Sequence, residues 1–270
     1  MKSKIEQLKA KGFYEVPTTS QYEVLRLKGP CNVILYSTGK FSVQGKEDVV
    51  QKIKQELGLE VPKKVEKQSS LFFHSKLKVI VGSDETLKGD TFGGLIVAGF
   101  RANPSEQLVL KDFGVDDSKK FSDKQIKIMA KKIRDKFPKN YSIFTLNPKE
   151  YNDKIKSCNV TVLLNSLHHQ VNQKLKTKSS MHVVDKYPGC NVGDIIETKA
   201  ESKYVAVAAA SIIAREEAIK QFIELSKNVG FNIPKGSTHV SFALKKLVEK
   251  KIDFKDFVKM NFSNVQFFLK

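Results

Sequence analysis

The amino-acid sequence predicts an α/β protein made of a small module and a larger domain whose central sheet is covered by helices. Three observations carry that expectation. Segments of strand period and helix period interleave along most of the chain. Residues 61–70 (VPKKVEKQSS) are rich in Pro, Lys and Ser without periodicity, which is linker composition. The 270 residues, 40% hydrophobic and 28% charged, supply enough apolar material for a sizeable core and exclude disorder of the whole chain.

Ile5 and Leu8 lie one turn apart ahead of Gly12, predicting a first helix. Strands follow at 22–28, 32–37 and 41–44, separated by turns at Gly29-Pro30 and Thr38-Gly39. Val49, Val50, Ile53 and Leu57 then recur at helical spacing up to Gly58, completing a helix, three-strand, helix module. Alternation sets Tyr22, Arg26 and Lys28 opposite Leu25 and Leu27, and Lys40, Ser42 and Gln44 opposite Phe41 and Val43. One face of this small sheet is therefore expected to be apolar under the helices, and the other open, polar and basic.

Beyond the linker, 77–81 and 95–100 read as a hairpin joined by the turn Gly89-Asp90-Thr91-Phe92-Gly93-Gly94. Ser122 and Gln125 form a capping box ahead of the helical stripe Ile126, Met129, Ala130, Ile133 and Phe137. A strand at 141–146 precedes a helix over 160–176, a short strand 182–184 ending at Asp185, and a further strand at 194–198. The clearest helix spans 203–226, small and apolar through Val205, Ala208, Ala209, Ile212 and Ile213.

Charge bounds the partners. Lys and Arg number 47 against 29 Asp and Glu, a net +18, which calls for a polyanion: nucleic acid or an anionic membrane surface. Residues 1–70 carry +5 and the remainder +13, so a polyanion touching both parts is favoured over one held by a basic tail. No apolar run approaches the ~18 residues of a membrane span, and no signal-peptide core follows the N-terminus, so a soluble cytoplasmic protein is expected. Cys31, Cys158 and Cys190 show no zinc spacing or disulfide framework.

Four acidic residues stand where the periodicity breaks, as strand ends do: Asp84 and Glu85 after the first hairpin strand, Asp185 after a later one, Glu201 ahead of the Ala-rich helix. Gathered carboxylates repel unless a hard cation neutralises them, and an all-oxygen set suits magnesium or manganese. Two such ions about 4 Å apart clamp the attacking and leaving oxygens of a phosphodiester. Singly, each residue has a structural alternative: a turn at Asp84-Glu85, a turn start at Asp185, a helix-dipole partner at Glu201. Neighbours in a strand point to opposite faces, so Asp84 and Glu85 share a site only where the strand ends or twists. His168-His169, with no carboxylate at metal spacing, is expected to be surface or packing.

The segments GSDETLKGDTFGG (82–94), GVDDSKKFSD (114–123), HVVDKYPG (182–189) and ETKAESKYVAVAAASIIAR (197–215), in that order, resemble the type-2 ribonuclease H superfamily. Glu201 and the GD-x-FG stretch resemble ribonuclease HIII more than ribonuclease HII. The resemblance spans essentially the whole chain. It implies a TATA-binding-protein-like α+β substrate-binding domain (1–66), a linker (67–75), and a ribonuclease H-like mixed sheet flanked by helices (76–270). It further implies that Asp84, Glu85, Asp185 and Glu201 are the catalytic, metal-binding carboxylates for two Mg2+ or Mn2+ ions. The implied partner is an RNA/DNA hybrid, whose RNA strand is cut to leave 5′-phosphate and 3′-hydroxyl ends; no membrane is involved, and a monomer is expected.

Nucleic-acid contacts are expected from Ser118, Lys119 and Lys120 of the DSKK stretch, which Asp117 positions, from Lys88 and Gly89, and from Arg26 and Lys40 on the small sheet. One departure from the family stands out. Where a Gly-x-Gly usually follows Asp-Glu-x, to bring backbone amides near the 2′-hydroxyls, this chain has Leu87, whose Cβ disfavours positive φ and close approach. Two other classes remain open: a catalytically weak hybrid-binding protein of the same fold, and a DNA endonuclease on a related fold.

Overall fold

The computed structural model describes residues 2–56 and 78–269. The chain divides into two compact units, Met1–Lys67 and Gln68–Lys270. The predicted linker lies outside the described residues.

In the small unit, α1 (Lys2–Ala10) leads into β1 (Tyr14–Val16), β2 (Glu23–Lys28), β3 (Asn32–Tyr36) and β4 (Phe41–Gln44), and α2 (Glu47–Glu56) follows. The strands form an antiparallel sheet in the order β1-β2-β3-β4. The expectation of three strands is thus corrected to four. Tyr14–Val16 is too short to show an alternation and owes its strand conformation to pairing with β2, Tyr14 opposite Lys28 and Val16 opposite Arg26. Leu8 of α1 and Ile53 of α2 are buried with Leu27, Val33 and Val43, so the apolar face is covered as expected. The opposite face is not polar throughout. Its middle strand places Ile34 between Arg26 and Ser42, and Ile34 is only 1% exposed.

The large unit begins with β5 (Val79–Thr86) and β6 (Leu95–Ala102), an antiparallel hairpin with Ile80 opposite Ala102 and Thr86 opposite Ile96. After them come α3 (Pro104–Asp112), α4 (Asp123–Lys136), β7 (Tyr141–Leu146), α5 (Pro148–Ile155), α6 (Val160–Leu175), β8 (Ser180–Asp185) and β9 (Ile195–Glu197). The chain finishes with α7 (Val205–Val229), α8 (Ser241–Glu249) and α9 (Ser263–Gln266). The sheet order is β7-β6-β5-β8-β9, with β8 parallel to both β5 and β9. Helices lie on both faces. Ile80, Ile96, Ala98, Phe100 and Val183 pack toward α7, while Val81, Val97 and Val184 pack toward α6 through Leu163, Leu164, Leu167 and Val171.

Close packing of α7 sets the position of the site. A Cβ on Gly82 would lie 2.3 Å from the backbone nitrogen of Val207, so glycine in β5 and alanines in α7 let helix and strand backbones nearly touch. Burying Ile212 and Ile213 on that helix contributes roughly 2 kcal/mol each. Gly230, at φ 75, ends α7 in the left-handed conformation.

Strand β5 runs through Asp84 and Glu85 to Thr86, so the carboxylates lie inside the strand and not after it. Leu87 then takes φ 66, and its side chain is 5% exposed within the α7-side core. The expectation that a leucine Cβ would keep this position out of the left-handed region is corrected, because burial of the side chain offsets the backbone cost. The following loop is held from the C-terminal segment. Phe92 bridges Val258, the Gly93 amide donates to Phe257 O (3.0 Å), and the Lys259 amide donates to Thr91 O (2.9 Å). The ammonium of Lys259, fully buried, donates to Asp90 O (2.6 Å) and Gly93 O (3.1 Å). Among the described residues no helix is long and apolar enough to cross a membrane.

Candidate active site

At the C-terminal ends of the parallel strands β5 and β8 lies a cleft of about 430 Å³ lined by Asp84, Glu85, Thr86, Ser118, Lys119, Asp185, Ser211 and Arg215. Asp84 and Glu85 are strand neighbours and leave β5 on opposite faces. Asp84 points to α7, where its carboxylate accepts hydrogen bonds from Ser211 and from the Glu85 amide (2.8 Å). Glu85 points to α6: Oε1 accepts from Lys88 Nζ at 2.8 Å and Oε2 stands 3.4 Å from His168 Nε2. Asp185 ends β8 and accepts from the Ala200 amide at 2.9 Å. That amide belongs to a short 3-10 helix, Ala200–Ser202, entered through Lys199 at φ 57. The same turn carries Glu201, which is buried beside the cleft with Oε1 3.4 Å from Lys119 Nζ.

These groups press on one another. Burial, with the charges of Glu85 and Asp185, pushes Asp84 up to about 8 against the Ser211 hydrogen bond. Asp185 is raised by burial and by Glu201 and Glu85. Glu85 is also buried, but His168 and Lys88 outweigh that and hold it below the usual glutamate range. Glu201 Oε2 is buried without a hydrogen-bond partner. Mutually repelling oxygens and an orphaned carboxylate atom fit a hard divalent cation. As the side chains stand, no three such groups among the described residues close around one point. Lys88 and Lys119 supply the compensating charge instead.

The basic residues divide by what they already hold. Lys119 is 80% exposed at the side chain and reaches over the cleft, whereas Lys120 is turned aside to Asp116 Oδ2 at 2.5 Å. Ser118 is buried, its hydroxyl 2.9 Å from Ser211 Oγ and its carbonyl bonded by Arg215, so its role in the fold is to tie the lysine loop to α7. Asp117 accepts from the Lys119 amide at 2.9 Å and caps that turn. Gly89 is exposed and a Cβ there would meet nothing within 4 Å, so packing does not demand glycine at this position. In the small unit Lys40 is exposed. Arg26 is engaged internally: it grips Glu23 through two hydrogen bonds (3.0 and 2.7 Å) and Thr19 Oγ1 (2.7 Å). The pair holds Glu23 down to about 2.

Sequence reasoning missed Ser211, Arg215 and His168. The first two stand four residues apart, one helical turn, in the AAASIIAR run, where small-residue packing was the visible signal. The histidine pair divides into the expected surface and packing positions, His169 exposed and His168 fully buried, and His168 in addition faces Glu85.

Comparison with known proteins agrees with this geometry. The ribonuclease HII family profile matches residues 81–265. A ribonuclease HIII of Bacillus cereus is 31% identical over 280 residues, covering 93% of this chain and 89% of its own. Among solved structures, Bst-RNase HIII in complex with Mn2+ superposes with a TM-score of 0.66 at 24% identity, covering 100% of this chain and 96% of that one. Aquifex aeolicus RNase H3 gives 0.55 at 27% identity, covering 97% of each. The two-part α/β architecture, the acidic cleft and similarity over nearly the full length therefore converge: the chain belongs to the ribonuclease HII family of ribonuclease H endonucleases, on its ribonuclease HIII branch.

Proposed function

We propose that this protein cuts the RNA strand of RNA/DNA hybrids, leaving 5′-phosphate and 3′-hydroxyl ends. The observation that carries this reading is the carboxylate-lined cleft at the ends of β5 and β8, with an exposed lysine at its rim. Asp84, Glu85, Asp185 and Glu201 would hold two Mg2+ or Mn2+ ions, which supply Lewis-acid activation for phosphodiester hydrolysis when bound. The chain's own residues do the rest. Ser211 and the Ala200 amide fix the orientations of Asp84 and Asp185. Lys88 and Lys119, which pair with Glu85 and Glu201 beside the cleft, would also meet the phosphates of the strand. Exposed Gly89, in the loop that follows β5, would approach the sugar edge of the substrate. Residues 1–66 would act as a substrate-binding domain joined through 67–75 to the catalytic domain 76–270. Lys40 would contribute phosphate contacts there, and Arg26 only after leaving Glu23. We place this activity in the cytoplasm and in a monomer.

A substrate panel tests the reading. Labelled RNA/DNA hybrid, double-stranded RNA and double-stranded DNA are incubated with protein and Mg2+ or Mn2+, with and without EDTA. Cleavage confined to the RNA strand of the hybrid, and stopped by EDTA, is expected. Tight hybrid binding without cleavage in either metal would point to a binding protein, and cutting of duplex DNA to a DNA endonuclease.

A further inference from the structure

Behind Glu85, between β5 and α6, a buried row of polar side chains leads away from the cleft. Ser83 Oγ stands 2.8 Å from His168 Nδ1 and 2.8 Å from His182 Nε2, and all three residues are buried. Ser83 shares its strand face with Glu85, two residues on. At the cleft end of the row His168 Nε2, a buried nitrogen with no hydrogen-bond partner as the side chains stand, faces Glu85 Oε2 at 3.4 Å. Tyr187 closes the outer side, its ring 5.3 Å from that of His168 and its hydroxyl donating to Asn165 Oδ1 at 2.8 Å.

The proton count decides the direction of this row. A hydroxyl carries one proton and a neutral imidazole carries one N–H, so with both imidazoles uncharged two arrangements satisfy both contacts of Ser83. In the first, His182 Nε2–H donates to Ser83, Ser83 donates to His168 Nδ1, and the His168 proton sits on Nε2, aimed at Glu85. In the second, His168 Nδ1–H donates to Ser83, Ser83 donates to His182, and a lone pair of His168 Nε2 faces the Glu85 carboxylate. The second sets two acceptors against each other in a buried site, where an unpaired polar atom costs about 1–3 kcal/mol. Burial and the neighbouring His168 pull His182 down to about 4, so near neutral pH it is an uncharged imidazole with one proton to give.

We infer that Ser83 and His182 lock His168 in the tautomer protonated at Nε2, making it the positioning residue that holds Glu85 toward the cleft. This inference rests on the reading of Glu85 as a metal-binding carboxylate. Outer partners of this kind typically change metal affinity by 10–100-fold.

The test uses full-length, metal-free protein labelled with 15N in histidine, read by long-range 1H–15N correlation near neutral pH. His168 is expected to show a protonated Nε2 and a bare Nδ1. A proton on Nδ1 overturns the inference, whatever any variant does. Ser83→Ala should convert His168 to a mixture of tautomers and weaken Mn2+ binding about tenfold by calorimetry, with metal-free hybrid binding unchanged. His168→Gln, which keeps an amide donor, should lose less Mn2+ affinity than His168→Leu. If Ser83→Ala folds and leaves both tautomer and Mn2+ affinity unchanged, the row does not position Glu85. Protein that shows the Nε2 tautomer and the expected Mn2+ losses yet cuts no hybrid would support the row and refute the proposed reaction instead.

Discussion

Leu87 carries the clearest conflict between local preference and fold. A leucine at φ 66 gives up roughly 1–2 kcal/mol of backbone energy, and burying its side chain returns about 2 kcal/mol, so the two nearly balance. Leu87→Ala keeps the backbone cost and loses the packing, whereas Leu87→Gly loses packing but relieves the backbone. Denaturant unfolding should therefore find the alanine variant less stable than the glycine variant by about 1 kcal/mol. His182 gives a pH dependence at the same scale. The unfolded imidazole takes a proton from about 6.5 downward, while the folded one resists until about 4, so folding stability falls across that window as pH drops. The His182 share is at most about 3 kcal/mol. Unfolding curves at pH 7 and pH 4.5 should show that loss in the parent protein and a smaller one in His182→Gln.

Element by element, what was legible was what carried its own period. Strand β7 and helices α4 and α6 follow directly from apolar spacing and the Ser122 cap. Helices α3 and α5 were missed although both announce themselves by an asparagine cap, a proline at the first turn and a glutamate closing the capping box. Strand β5 runs past the expected 77–81 because Gly82 and then Ser83, a buried polar residue, interrupt the apolar pattern in front of the carboxylates. Its hydrogen-bond partners, 85 and 99 residues away, give no sign in a local window. The C-terminal strap is likewise a product of tertiary contact. Lys259→Met would leave the Asp90 and Gly93 carbonyls without their ammonium donor. Amide hydrogen exchange should then accelerate in residues 90–94 well before it does in β5, and hybrid cleavage should slow through a raised KM. Unchanged protection of that loop would mean that the backbone bonds of the strap suffice.

Over the whole molecule, charge lies in both parts, +5 in residues 1–70 and +13 beyond, which motivates a division between affinity and chemistry. Removing residues 1–66 should leave a folded second unit that binds hybrid more weakly and with a shallower salt dependence, since each lost phosphate contact releases fewer counterions. An unchanged salt slope in a titration would show that the small unit's basic residues are only solvated. The sequence points to the carboxylates through periodicity breaks and the surrounding motifs, while their lysine, serine and histidine partners show only in the fold. The most direct test of the account is a paired measurement on Asp84→Asn: hybrid affinity and RNA-strand turnover, both in Mn2+. Turnover should fall by several orders of magnitude while affinity stays within a fewfold of the parent, because in the proposed mechanism carboxylates hold the ions and basic residues hold the strand. Turnover close to that of the parent would contradict the account.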